Sequence, residues 1–201
     1  MKLSLPIPGL GVILLASMLA GCASPSQPTR FYRMDSGAVA ETPRNLMPDA
    51  HTQVIGVAPV SVAAYLDRPQ IVERLTEHRL KLHEFDQWAG SIQDNLKVTF
   101  GDALQQVLPA KRVVTAPWPG NLQPDYRLGL VIQQFDWVGE RVVVKGTWSL
   151  VNERTHDLAA LQQVSFDEPL EGSDVDAVVA AANRSIMRWA RMIAAWFETL
   201  H

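Results

Sequence analysis

The 201-residue chain contains a single cysteine, Cys22, so it can form no internal disulfide and no zinc site built from several thiolates. Positive charge is not in surplus: 18 Lys and Arg stand against 21 Asp and Glu, a formal net charge of -3. A nucleic-acid binder would carry a basic footprint, so no nucleic-acid partner is expected. Beyond the N-terminus no apolar run approaches the ~20 residues a spanning helix needs, which excludes a multi-span membrane protein. Glycine-rich phosphate loops, H-E-x-x-H and G-x-S-x-G are all absent. The five histidines (His51, His78, His83, His156 and His201) are scattered and read as surface residues. No metal or other cofactor is expected from them. The carboxylate pairs Asp67 with Glu73 and Asp167 with Glu168 carry no mark of burial and read as solvated charges. No enzymatic activity is therefore expected. The rest of the chain, 47% hydrophobic and 19% charged, has ordinary globular composition.

The N-terminus is distinctive. Met1-Lys2 gives a positive start, Leu3 to Leu19 is almost wholly apolar, and Gly11 to Ala20 forms a continuous apolar core too short to span a bilayer. Leu19-Ala20-Gly21-Cys22 follows, in the pattern of a bacterial lipobox. The sole cysteine falls where that motif needs a thiol to accept a diacylglyceryl group. Residues 1–21 are therefore expected to be a removed signal peptide and Cys22 the lipidated first residue. Residues 22–30, with Pro25 and Pro28, read as a flexible tether, and 31–201 as one periplasmic domain. Two or more acyl chains anchor stably where one does not. Ala23, rather than Asp, follows the cysteine, which by general sorting rules favours the outer membrane.

Along the domain, Phe31 to Met34 is expected as a short strand and Gln53 to Val62 as a β-branched strand with Pro59 marking an edge or bulge. Gln70 to Arg74 and Arg79 to Phe85 follow as strands. A helix is expected to open at Asp86, because Trp88, Ile92, Leu96, Phe100, Leu104 and Val107 form one stripe; Pro109 stops it. Arg112 to Thr115 reads as a strand ahead of the turn Pro117-Trp118-Pro119-Gly120. Alternation from Tyr126 to Ile132 and from Val142 to Leu150 about Gly139 predicts a long hairpin, with Leu161 to Glu168 as its next strand. The last helix begins at Ser173, spaced from Asp176 as a capping box, and carries an apolar stripe from Val175 to Trp196. The expected fold class is α+β: a mostly antiparallel sheet with two long helices packed on one face.

Candidate binding side chains are few. Arg184, Arg188 and Arg191 step along one side of the last helix, either as a contact to an acidic partner or lipid headgroups or as a solvated face. Trp118, between two prolines, is expected to be exposed and available to a partner. The stretch Tyr65-Leu66-Asp67-Arg68-Pro69 mixes an aromatic, both charges and a proline. It suits an ordered loop that meets a partner, or equally one whose Asp67 and Arg68 serve the fold.

Several segments together resemble the PqiC family of lipoprotein subunits that accompany membrane-integrity transport systems. They are Tyr65-Leu66-Asp67-Arg68-Pro69-Gln70-Ile71-Val72, Phe85-Asp86-Gln87-Trp88-Ala89, Asp125-Tyr126-Arg127-Leu128 with Phe135, Trp148-Ser149-Leu150 and the Ala-rich stretch Val178 to Ala182. Where the family usually continues Glu-Pro after Trp88-Ala89, this chain has Gly90-Ser91. The resemblance implies an outer-membrane lipoprotein facing the periplasm. Its implied partner there is a needle-like MCE-domain protein, with which it would move lipid or other apolar molecules between the two membranes; a homo-oligomer is expected, and no catalytic residue is implied. The rival readings are a lipid-anchored enzyme or small-ligand sensor, and an assembly factor for an outer-membrane barrel.

Overall fold

The computed structural model describes residues 27–37 and 52–199. The signal segment, Cys22, His51 and His201 lie outside the described residues.

The long hairpin is the spine. Strands β7 (Tyr126–Val138) and β8 (Arg141–Asn152) pair antiparallel along their whole length, and β9 (Leu158–Pro169) adds antiparallel to β8. Val138 faces Arg141 across the turn, where Gly139 sits at φ 58°. The alternation seen in the sequence fixes one face inward: Leu128, Leu130, Ile132, Val142, Val144, Trp148 and Leu150 are all buried.

The other flank of β7 is shared end to end by strands that run parallel to it. Near its start lies β2 (Val54–Val57), in its middle β3 (Ser61–Val62), and at its far end β4 (Gln70–Arg74). β2 also pairs parallel with β6 (Arg112–Thr115). β5 (Leu80–Trp88) pairs antiparallel with β4 and carries β1 (Arg30–Tyr32), parallel, on its outer edge. The sheet is thus mixed rather than mostly antiparallel, with five parallel pairings against three. Parallel partners need long crossovers and leave no local turn signal, which is why the hairpin alone coloured the expectation. The strand expected over Gln53 to Val62 is split in two. Pro59 has no N–H to give, and the hydrogen bonds to β7 resume through Ala63 N to Ile132 O at 2.9 Å.

Helix α1 spans Ile92–Val107, not from Asp86. Gly90 at φ 99° turns the chain, and Ser91 caps the helix by accepting from Asp94 N at 3.1 Å while donating to Asp94 Oδ2 at 2.9 Å. Residues 86–88 therefore finish β5, and Trp88 is buried as a strand residue. Helix α2 spans Val175–Glu198; its cap is Asp174, which accepts from Ala177 N at 2.9 Å, rather than Ser173.

Trp189 of α2 meets Phe100 of α1 edge-on at 5.1 Å and Phe166 of β9 at 6.1 Å. Trp196 lies 6.0 Å from Trp148 of β8, and Phe197 5.6 Å from Tyr126 of β7. The Trp189 ring crosses β8 at Gly146, where a methyl group would come within 2.6 Å of Cη2 and 2.5 Å of the Val131 carbonyl oxygen. Burying each such large side chain contributes about 1.5–3 kcal/mol. Among the described residues no helix is long and apolar enough to cross a membrane.

Candidate functional site

Three of the segments singled out in the sequence meet at the far end of β7. Ala64–Leu66 forms one 3-10 turn between β3 and β4, held by Leu66 N to Ala63 O at 2.8 Å. Pro69 O accepts from Trp88 N at 2.7 Å, so the Tyr65 segment is joined directly to the end of β5. Trp88 in turn packs against Phe135 of β7, with ring centroids 6.4 Å apart.

At the centre of this junction lies Asp136, with no exposed surface. Its carboxylate accepts from Tyr65 Oη at 2.7 Å, Arg74 Nε at 2.6 Å and Gln134 Nε2 at 3.0 Å. A buried carboxylate costs free energy unless it is paired and hydrogen-bonded, and here it is both. Burial, reinforced by the bond to Asp136, pushes the Tyr65 phenol up to about 12. The guanidinium of Arg74 also lies 5.8 Å from the Tyr65 ring centre.

Polar contacts continue along the outer strands. Glu73 accepts from Lys81 Nζ at 2.9 Å and contacts His83 Nε2 at 2.8 Å. Burial would raise this carboxyl, but Lys81 and His83 outweigh it and hold it below its usual range. His83 also stacks on Trp137 at 5.0 Å, so it is wedged into the sheet and not a surface histidine. His78 is exposed in the β4–β5 turn. Asp86, 6% exposed, accepts from Arg30 Nε at 2.7 Å and Tyr32 Oη at 3.1 Å. These partners outweigh its own burial and lower its pKa.

The sequence-predicted partner residues do not form one surface. Tyr65 is half-buried and tied to Asp136, and Leu66, at 2% exposure, belongs to the core. Asp67 is exposed; Arg68 is half-buried, with its Nε enclosed. Trp118, expected to be exposed, is half-buried: its ring lies across β2 at Gly56, where a methyl group would come within 2.7 Å. Trp118 borders a separate cleft of about 390 Å³ with Pro124, Asp125, Glu153, Arg154 and His156. Arg184 is bound to Glu168 at 2.8 Å and to Pro169 O at 2.6 Å, while Arg188 covers the Phe166 ring at 5.2 Å. Arg191 is exposed. Of the carboxylates read as solvated, Glu73 and Glu168 are instead paired and largely shielded.

Sequence reasoning missed Asp136. The available signal was an acid between Phe135 and Trp137 in a strand otherwise rich in apolar residues. The void at this junction, lined by Leu66, Trp88, Phe135 and Asp136 among others, is about 10 Å³, room for about one water. Among the described residues no group of three or more His, Cys, Asp or Glu could hold a metal ion.

The fold defines an α+β domain in which a mixed sheet and two helices share one core, with a polar junction at one end. The chain belongs to the ABC-type transport auxiliary lipoprotein component family, whose model matches residues 32–194. This agrees with the resemblance to the PqiC lipoproteins. The fold is similar to that in a crystal structure titled as an uncharacterized protein (17% identity, TM-score 0.68), covering 84% of this chain and 98% of that one. It is also similar to protein XCC0632 from Xanthomonas campestris (19% identity, TM-score 0.63), covering 84% of this chain and 94% of that one. No curated protein matches the chain.

Proposed function

We propose that the protein is an outer-membrane lipoprotein of an intermembrane lipid transport system, held by acyl chains on Cys22 and docking an MCE-domain partner on the periplasmic side. The observation that carries this reading is the family match across residues 32–194. The lipobox at Leu19 to Cys22 supports it, because it supplies an anchor where an auxiliary lipoprotein needs one. The protein works as a docking subunit, without turnover, and as a homo-oligomer. Asp67 and Arg68, at the tip of a loop fixed from beneath by Tyr65, are the residues through which it meets the partner. Arg188 and Arg191 offer a second, basic contact.

The test is affinity purification of the tagged lipoprotein from detergent-solubilised envelope. Recovery of an MCE-domain protein is the expected result; recovery of barrel proteins alone would overturn the reading. Cys22→Ser removes the thiol, so the variant should remain an unacylated precursor. Normal acyl labelling of that variant would refute the anchor.

A further inference from the structure

Two phenylalanines stand outside the core at the edge where the tether enters the domain. Phe31 is 65% exposed and Phe85 41%. They stand on neighbouring strands. Arg30, Phe31 and Tyr32 of β1 pair with Asp86, Gln87 and Trp88 of β5. Side chains alternate along β1, so Arg30 and Tyr32 face Asp86 and Phe31 stands on the other side, beside Gln87; β5 shifts register between His83 and Gln87, and that irregular stretch leaves Phe85 exposed. The edge is fixed, because Arg30 and Tyr32 both bond Asp86, and Ala89 N donates to Tyr32 O at 2.7 Å. Arg30 and Asp86 neutralise each other on the face opposite the Phe31 ring.

The length of chain ahead of this edge sets what it meets. Eight residues, 23–30, lie between Cys22 and Phe31. The nine Cα steps reach about 30 Å when fully extended, so an anchor at Cys22 keeps Phe31 within about that distance of the bilayer. A tethered contact is intramolecular, so even a weak apolar patch is presented to the surface at high effective concentration. Phenylalanine is among the side chains that sink into the boundary between headgroups and acyl chains.

We propose that the β1–β5 edge is a second membrane contact, at which Phe31 and Phe85 enter the headgroup region of the phospholipid surface that holds the Cys22 anchor. This rests on the anchored reading above, and it fixes the orientation of the domain: β1 toward the membrane, β9 away from it. The two rings and the acyl chains together hold the domain at a set angle to the membrane surface.

The experiment separates this contact from acylation itself. The full mature chain carries Cys22→Ser and a hexahistidine segment ahead of residue 22, which binds a nickel-chelating lipid in vesicles of phosphatidylethanolamine and phosphatidylglycerol. Phe31→Cys, Phe85→Cys or Leu161→Cys then supplies the sole thiol for an environment-sensitive NBD probe. Leu161, 61% exposed on β9, lies five strand spacings from β1, about 24 Å across the sheet. Nitroxide-labelled phospholipid should quench the probes at 31 and 85 at least about twofold more than the probe at 161. Equal quenching at all three positions would overturn the proposal. So would a blue shift of the edge probes that depends on protein concentration without vesicles, since that assigns the edge to a second copy. Failure of Cys22 to be acylated in cells would sink the anchor while leaving this result standing.

Discussion

The two ends of the sheet are held by different physics. Around β8, β9, α1 and α2 the interior contacts are apolar, with ion pairs such as Arg184 to Glu168 nearer the surface: Trp189 on Phe100 and Phe166, Trp148 against Trp196, and a glycine at 146 that lets an indole cross the strand. Around β1, β4, β5 and the end of β7 they are polar and directional. Asp136 gathers Tyr65, Arg74 and Gln134, Asp86 gathers Arg30 and Tyr32, and Glu73 gathers Lys81 and His83. Apolar packing tolerates exchange if volume is kept, whereas a buried carboxylate tolerates the loss of no partner. Tyr65 to Val72, one of the segments that resemble the PqiC family, belongs to the second region.

Substitutions can break that contrast. Trp189→Ala should be the most damaging, at about 3–5 kcal/mol in chemical denaturation, because it empties the space between both helices and β8. Arg74→Ala should cost about 3 kcal/mol, since it strips the buried Asp136 carboxylate of its counter-ion; Arg74→Lys should recover only part of this, an ammonium being a poor substitute for the guanidinium. Tyr65→Phe should cost about 1.5–3 kcal/mol, the range for a hydrogen bond to a charged group.

The last variant also has a signature in pH. The Tyr65 phenol has its folded-state pKa raised to about 12, so its contribution is complete below the unfolded value of about 10 and is lost as pH rises between them. Wild-type stability should thus approach that of Tyr65→Phe as pH climbs from about 10 to about 12. Asp86 and Glu73 act at the other extreme. Their lowered pKa values give stability that is complete above the ordinary carboxylate range and is lost as pH falls through the folded values, below about pH 4. Asp86→Asn should flatten this acid limb. The smallest effect is at a helix end: Asp174→Ala should cost about 1 kcal/mol, where Ser173→Ala should cost almost nothing, because only Asp174 accepts from the helix.

The same contrast explains what the sequence made legible. Apolar periodicity is local, so the β7–β8 hairpin, most of both helices and the inward faces of the strands could be read from spacing alone. The mixed character of the sheet could not, because β2, β3 and β4 reach β7 through parallel pairings that leave no turn behind. Nor could the junction: Tyr65 and Asp136 are 71 residues apart in sequence and bonded in space. The helix expected at Asp86 shows the conflict directly. Trp88 fits the helical stripe, yet Gly90 and the Ser91 cap start the helix later and leave Asp86 free to bind β1. The flanking prolines of Trp118 point to exposure, but a glycine on β2 gives its ring a place to lie.

The proposed function turns on the Tyr65 to Val72 segment dividing its labour: Tyr65 holds the fold from beneath through Asp136, and Asp67 is proposed to meet the partner. The most direct measurement takes Tyr65→Phe and Asp67→Arg side by side, reading melting temperature and the recovery of the proposed MCE-domain partner from solubilised envelope. Tyr65→Phe should melt lower yet retain the partner at temperatures where it is folded, while Asp67→Arg should melt as wild type and lose the partner. Partner loss in folded Tyr65→Phe, with full recovery by Asp67→Arg, would contradict the account.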